Sequence, residues 1–181
     1  MPTEISGSTG VNKIQDGTVV NADINNSAAI AGSKLVMPTG SVLQVVSANT
    51  NTEHNQGGTS YADTGLTCAI TPSSSSSKIL ILVAQVAFFS VDTTSERTAF
   101  VRLYRDIGAA GAEMVHREYV AKGPTQVYDL PLDISFQYLD SPNSTASVSY
   151  RTQTKLSGTT SDIKTQAGSS YSNMTLMEIA G

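Results

Sequence analysis

The chain has 181 residues, enough for one hydrophobic core plus an extension. Only 14% of residues are charged, and 39% are hydrophobic. An ordinary soluble domain carries about 25% charge, so Ser, Thr, Asn and Gln must wet this surface. The net charge is −4, and the 11 basic residues form no cluster. This argues against nucleic acid as a partner, and no basic amphipathic helix points to membrane insertion.

Residues 1–37 read as an arm. Met1 to Gly10 has neither a basic nor an apolar region, so no signal peptide is expected. The apolar residues Ile14, Val19, Val20, Ile24, Ile30 and Leu35 stand apart among small and polar ones. Their spacing, about five residues, matches neither a helix nor a strand. Such a segment cannot bury a core of its own. It is either disordered or an extended arm whose apolar pegs enter grooves on neighbouring chains. The near-regular spacing favours the second. Ser27 to Leu35 is compatible with a short helix, with Ser27 as N-cap and Gly32 as terminator.

From Pro38 to Gly181 the pattern becomes short β-type runs between turn residues. Ser41 to Ala48 alternates, with Leu43 and Val45 on one face and Gln44 on the other. A polar loop is expected from Asn49 to Ser60, then a strand from Leu66 to Ile70. That strand holds Cys68, the single cysteine, which reads as a small buried residue. Pro72 and Ser73 to Ser77 form a turn. Lys78 to Phe89 is the most apolar strand and is expected to be covered on both faces. Thr98 to Arg105 should turn Ala99, Val101 and Leu103 inward and Arg102 outward. Glu113 to Val120 has helical spacing at Val115 and Tyr119, but its β-forming residues and flanking glycines favour a hairpin strand. Leu132 to Leu139, Ala146 to Gln153 with Val148 and Tyr150 inward, and Met174 to Ile179 complete the set. Leu156 to Asn173 reads as a second long polar loop. About eight short strands predict an all-β fold: an extended arm followed by a jelly-roll-like antiparallel β-sandwich head.

Chemistry-bearing constellations are sparse. His54 and His116 lie far apart in sequence, with no metal-ligand spacing around them. Asp63 precedes a strand. Asp129 and Asp133 flank Pro131 as paired carboxylates of the kind a glycosidase uses, but the chain has no Trp and only 6% aromatics to line a sugar cleft. No phosphate loop or nucleophile elbow is present. The sequons at Asn143 and Asn173 read as chance in a Ser/Thr-rich chain. Arg102, Arg105 and Asp106 suggest a surface ion pair or a contact between protomers. No catalytic, metal or cofactor site is expected, and the chain reads as a structural protein and not an enzyme. Contact residues are expected on the polar loops: His54, Asn55, Gln56, Tyr61 and Tyr171.

Several short stretches, taken in order, resemble a domain at the ends of tail-fibre-like and other virion appendage proteins of marine tailed bacteriophages. They are Gly40 to Val46, Asp63 to Pro72 with the serine turn and Lys78 to Leu80, Leu103 to Asp106, Tyr138 to Pro142, and Thr175 to Ile179. Asp16 to Ile24 and Ala28 to Leu35 are similar to a fibre-neck element. The resemblance implies a homotrimer with intertwined arms and a β-sandwich head on the particle surface. It implies attachment to other virion proteins through the arm, and to a bacterial surface glycan or protein through the head. It offers no catalytic residues. A long tail fibre carries an anchoring domain and a shaft in addition to such parts. The expectation is therefore a short fibre or tail-tip protein, with a capsid decoration or head-fibre protein as the alternative.

Overall fold

The computed structural model describes Ser27, Ile30 and residues 35–91, 96–108, 110–122 and 128–181. The chain divides into two compact units, Met1–Val36 and Met37–Gly181. In the first, Ser27 lies in a turn, and Ile30 and Leu35 are both exposed. Ile14, Val19, Val20 and Ile24 lie outside the described residues, as does most of the candidate helix.

The second unit is built from strands. In chain order they are β1 (Val42–Thr50), β2 (His54–Gln56), β3 (Ala62–Ile70), β4 (Lys78–Val91), β5 (Glu96–Ile107), β6 (Ala110–Lys122), β7 (Tyr128–Asp140), β8 (Val148–Leu156), β9 (Ser161–Thr165) and β10 (Ser172–Ile179). All pairings are antiparallel and form two sheets. Sheet B has the order β3-β8-β5-β6. In sheet A, β7 lies along one side of β4. The other side of β4 is shared, by β10 and then β1 at its start and by β9 and then β2 at its end.

The pairing is nested. β5 forms a hairpin with β6, β4 pairs β7, β3 pairs β8, and β1 pairs β10. A long hairpin folded over itself in this way is a jelly roll. β2 and β9 extend one of its sheets.

Alternation explains the core. Leu66, Ile79, Ile81, Phe89, Val101, Leu103, Ile134, Phe136, Val148, Tyr150, Met174 and Leu176 all point between the sheets and are essentially inaccessible. Ala99 and Cys68 join them as expected, and burial pushes the Cys68 thiol above its ordinary value. Tyr150 Oη donates to Asp140 Oδ2 at 2.7 Å, and Arg105 Nη1 donates to both Asp140 oxygens at 2.7 and 2.8 Å. The three side chains pin β5 and β8 of sheet B to β7 of sheet A. Burial and the Asp140 bond push the Tyr150 hydroxyl far above its usual range.

Four expectations need correction. Asn49 to Ser60 is not one loop: β1 runs to Thr50, and His54–Gln56 is a strand pairing Thr165 to Ile163. Leu156 to Asn173 likewise contains β9 and a single 3₁₀ turn at Ala167–Ser169. Both segments are polar because they run along a wet sheet margin, so apolar alternation could not reveal them. β4 is not covered on both faces. Its inward residues are buried, while Leu80, Leu82, Val86 and Phe88 are half-buried and Ala84 is exposed. β7 starts at Tyr128 and runs through Pro131, where the strand was expected to begin only at Leu132. Among the described residues β7 pairs only β4, and an edge strand tolerates the missing N–H.

The segment around Glu113 is a strand despite its helical spacing. Gly108 at φ 58° turns the chain from β5 into β6, and Gly111 leaves room for the Tyr104 ring, which a Cβ there would strike.

Candidate functional site

The outward face of sheet A changes character along β4 and β7. At the β1–β10 end it carries one apolar row, beside a mixed row of Ser47, Thr175, Leu82 and Gln137. The register places Val45 opposite Met177, Met177 opposite Leu80, and Leu80 opposite Leu139, one row across four strands. Val45 is 56% and Leu139 51% exposed, and Leu43 flanks them. β1 faces this way because of its inward neighbour. Gln44 Nε2 donates to Glu178 Oε2 at 2.6 Å and to Thr71 O at 2.8 Å. Ser73 adds its N–H and Oγ to Glu178 Oε1, each at 2.7 Å. Burial alone would raise the Glu178 pKa, yet the bonds from Ser73 and Gln44 help bring it down to about 2. Satisfying that carboxylate keeps Gln44 inside and leaves Leu43 and Val45 outside.

At the β2–β9 end the same face is polar. Ser90 of β4 stands opposite Asp129 of β7 on one side and Asp162 of β9 on the other. The two carboxylates are thus two strand spacings, roughly 10 Å, apart. Ser90 Oγ donates to Asp129 Oδ1. Asn55 Nδ2 donates to Asp162 Oδ2 at 3.3 Å, and Lys164 Nζ lies 3.8 Å from that oxygen. Asp162 Oδ1 is buried without a hydrogen-bond partner. These residues, with Gly57 and Thr159 to Ser161, line an open cleft of about 500 Å³.

The cleft walls are tied down. Gln56 Nε2 donates to Ser60 O at 2.7 Å, and Gln56 Oε1 accepts from Gly58 N at 3.2 Å. Leu156 N donates to Gly58 O at 3.0 Å. Thr98 N donates to Ser157 Oγ, and Arg97 Nε donates to Thr160 Oγ1, at 2.9 and 2.8 Å.

A buried polar seam marks the change between the two ends. Gln85, Thr64, Thr152, Gln166 and Ser172 are all buried. Gln85 Nε2 donates to Thr64 Oγ1 at 2.9 Å, and Thr64 and Thr152 share a hydrogen bond of 2.5 Å. Where β9 gives way to β10, Gln166 N donates to Val86 O at 3.0 Å and Val86 N donates to Ser172 Oγ at 3.2 Å.

The outward face of sheet B is different again. The Arg102 guanidinium stacks on Tyr61 at 3.7 Å and on Tyr104 at 4.5 Å. Lys155 lies over Tyr61 and Phe100, and Arg151 over Tyr104. Arg102 also pairs with Glu113 at 3.1 Å, and Arg151 with Asp106 at 2.9 Å. The face neutralises its own charges. Arg102, Arg105 and Asp106 therefore form no single cluster, since Arg105 turns inward to Asp140.

The five expected contact residues are dispersed. Asn55 is exposed and enters the cleft. His54 and Gln56 are half-buried on the opposite side of β2, with Gln56 committed to its turn. Tyr61 lies half-buried under Arg102, and burial raises its pKa. Tyr171 is 69% exposed just before β10. Of the cleft residues, the sequence singled out Asn55 and Asp129. Ser90, Asp162 and Lys164 were missed, because only cross-strand register brings them together. Among the described residues no group of three or more His, Cys, Asp or Glu could hold a metal ion, and no helix is long and apolar enough to cross a membrane.

The fold defines an all-β protein, an antiparallel sandwich of jelly-roll pairing. No family model matches the chain, and no curated protein does. Among solved structures it is similar to the VP2 subviral particle of infectious bursal disease virus, at 15% identity and a TM-score of 0.38 over 85% of this chain and 37% of that one. It is also similar to the structure of the Gx strain of that virus, at 12% identity and a TM-score of 0.34 over 85% and 41%. T=1 particles derived from the virus match at 11% identity and a TM-score of 0.34, over 84% and 40%. The chain thus spans about two fifths of the length of these structures.

Proposed function

We propose that this is a structural protein of a bacteriophage virion. It is a homotrimeric short fibre or tail-tip protein, non-enzymatic, on the particle surface. Residues 1–37 clasp neighbouring copies and dock to other virion proteins through Ile14, Val19, Val20, Ile24, Ile30 and Leu35. The head contacts the bacterial surface.

The observation that carries this reading is the apolar row Val45–Met177–Leu80–Leu139. A sheet face with such a row gains free energy by being covered, at roughly 25 cal/mol per Å². Closed symmetry would cover it and also shelter the β1 edge. The resemblance of the ordered motifs supports the virion location.

The test is the mass of the purified chain in solution, with and without residues 1–37. A trimer is expected for the full chain. A monomer in both forms would remove the fibre reading. Jelly-roll pairing recurs in capsid-building domains, and on that fold-level analogy a capsid decoration protein is the second reading. Copy number per virion separates them: few copies for a tail tip, many for a capsid coat.

A further inference from the structure

We propose that the cleft at the β2–β9 end of sheet A binds a neutral saccharide through its ring hydroxyls. The proposal deepens the attachment reading above by naming the chemistry the head would contact. A sugar presents adjacent hydroxyls, each both donor and acceptor, with an apolar C–H face between them. The cleft offers matching parts. Asp162, its side chain 28% exposed, and Asp129 set carboxylate acceptors in the lining, and a carboxylate accepts strong hydrogen bonds from sugar hydroxyls. Asn55 and Lys164 hold Oδ2 of Asp162 and so fix that carboxylate's orientation. Thr159 and Thr160 add hydroxyls to the lining, and Thr160 Oγ1, which accepts from Arg97 Nε, keeps its proton to donate. On the same outward face, one alternation along β4 from Ser90, Phe88 stands half-buried between Lys164 and Pro131. It is the apolar neighbour of the polar floor along β4 and not part of the cleft's own lining.

Two features favour a polyol over a metal cation. The ammonium of Lys164 already lies beside Asp162, and Asn55 spends a donor there and not an acceptor. The walls are fixed by their own hydrogen bonds, so little ordering accompanies binding.

The experiment is saturation-transfer NMR on the full chain with D-glucose, D-galactose, D-mannose and N-acetyl-D-glucosamine, with and without a chelator. At least one sugar is expected to bind, with the chelator present or absent. Asp162→Ala should weaken that sugar roughly tenfold, the value of a hydrogen bond to a charged group. Asn55→Ala, on an exposed edge position, should weaken it several-fold with the fold intact. No saturation from any of the four sugars would overturn the proposal. So would binding that survives both substitutions, or binding abolished by the chelator, which would mark a cation site. Adsorption of particles to cells is read separately. Asp162→Ala particles that lose sugar binding but adsorb normally would retire the attachment reading and leave the cleft assignment standing.

Discussion

β4 and β7 run the length of sheet A, and the two ends of their outward face are opposites. Near β1 and β10 they carry Leu80 and Leu139 in an uncovered apolar row. Near β9 and β2 they carry Ser90 and Asp129 on the floor of a polar cleft. From Ile79 to Val91 and from Leu130 to Asp140, the inner faces are apolar apart from Gln85, Asp140 and the Tyr138 hydroxyl. The core therefore demands the same thing everywhere, while the outer face is free to differ. A difference that packing does not require is where function is best sought.

The comparison breaks most severely if the shared strands lose their anchor. Asp140→Ala strands Arg105 and the Tyr150 hydroxyl, and a buried pair broken on one side costs about 3–5 kcal/mol. Urea unfolding should show the free energy of unfolding falling by that amount, with the proposed trimer and sugar binding weakened together. A charge in the dry end should separate the two functions. Val45→Glu is expected to convert trimer to monomer in sedimentation, while the sugar affinity and the monomer's own unfolding stay unchanged within about 0.5 kcal/mol. The reverse separation comes from Asn55→Ala, which should leave the mass a trimer.

The subtlest effect lies in pH. Glu178 titrates at about 2 in the fold against an ordinary 4.5. Its hydrogen bonds therefore stabilise the fold fully above pH 4.5, and that share is lost as pH falls toward 2. Glu178→Gln should flatten the stability profile in that window, and the proposed trimer of the unmodified chain should loosen there as β1 loses its lock.

Much of this fold could be read from residues alone. Ala99, Val101 and Leu103 declared the inward side of β5, and Val148 and Tyr150 that of β8, because apolar alternation reports directly on burial. The two short strands β2 and β9 could not be read so. Residues 54–56 and 161–165 include His, Asn, Gln, Ser, Asp, Lys and Thr, and only pairing defines them. The cleft stayed hidden for the same reason. Ser90, Asp129 and Asp162 are 39 and 33 residues apart along the chain, and nothing local announces that one strand will seat the other two. The outward turn of Val45 was equally invisible, since it depends on Gln44 reaching a carboxylate 134 residues away.

The nested pairing also governs the order of events in synthesis. β1 is the first of the ten strands to be made, yet its partner β10 is the last of the ten, and Gly40 N and Ala180 N close the joint with bonds to Ala180 O and Ser41 O, each at 2.8 Å. Contacts so distant in sequence form slowly. Val45 cannot meet Met177 until the ribosome has delivered β10. The complete four-strand row is thus absent until β10 has been made, and any contact that depends on the whole row waits for all ten strands.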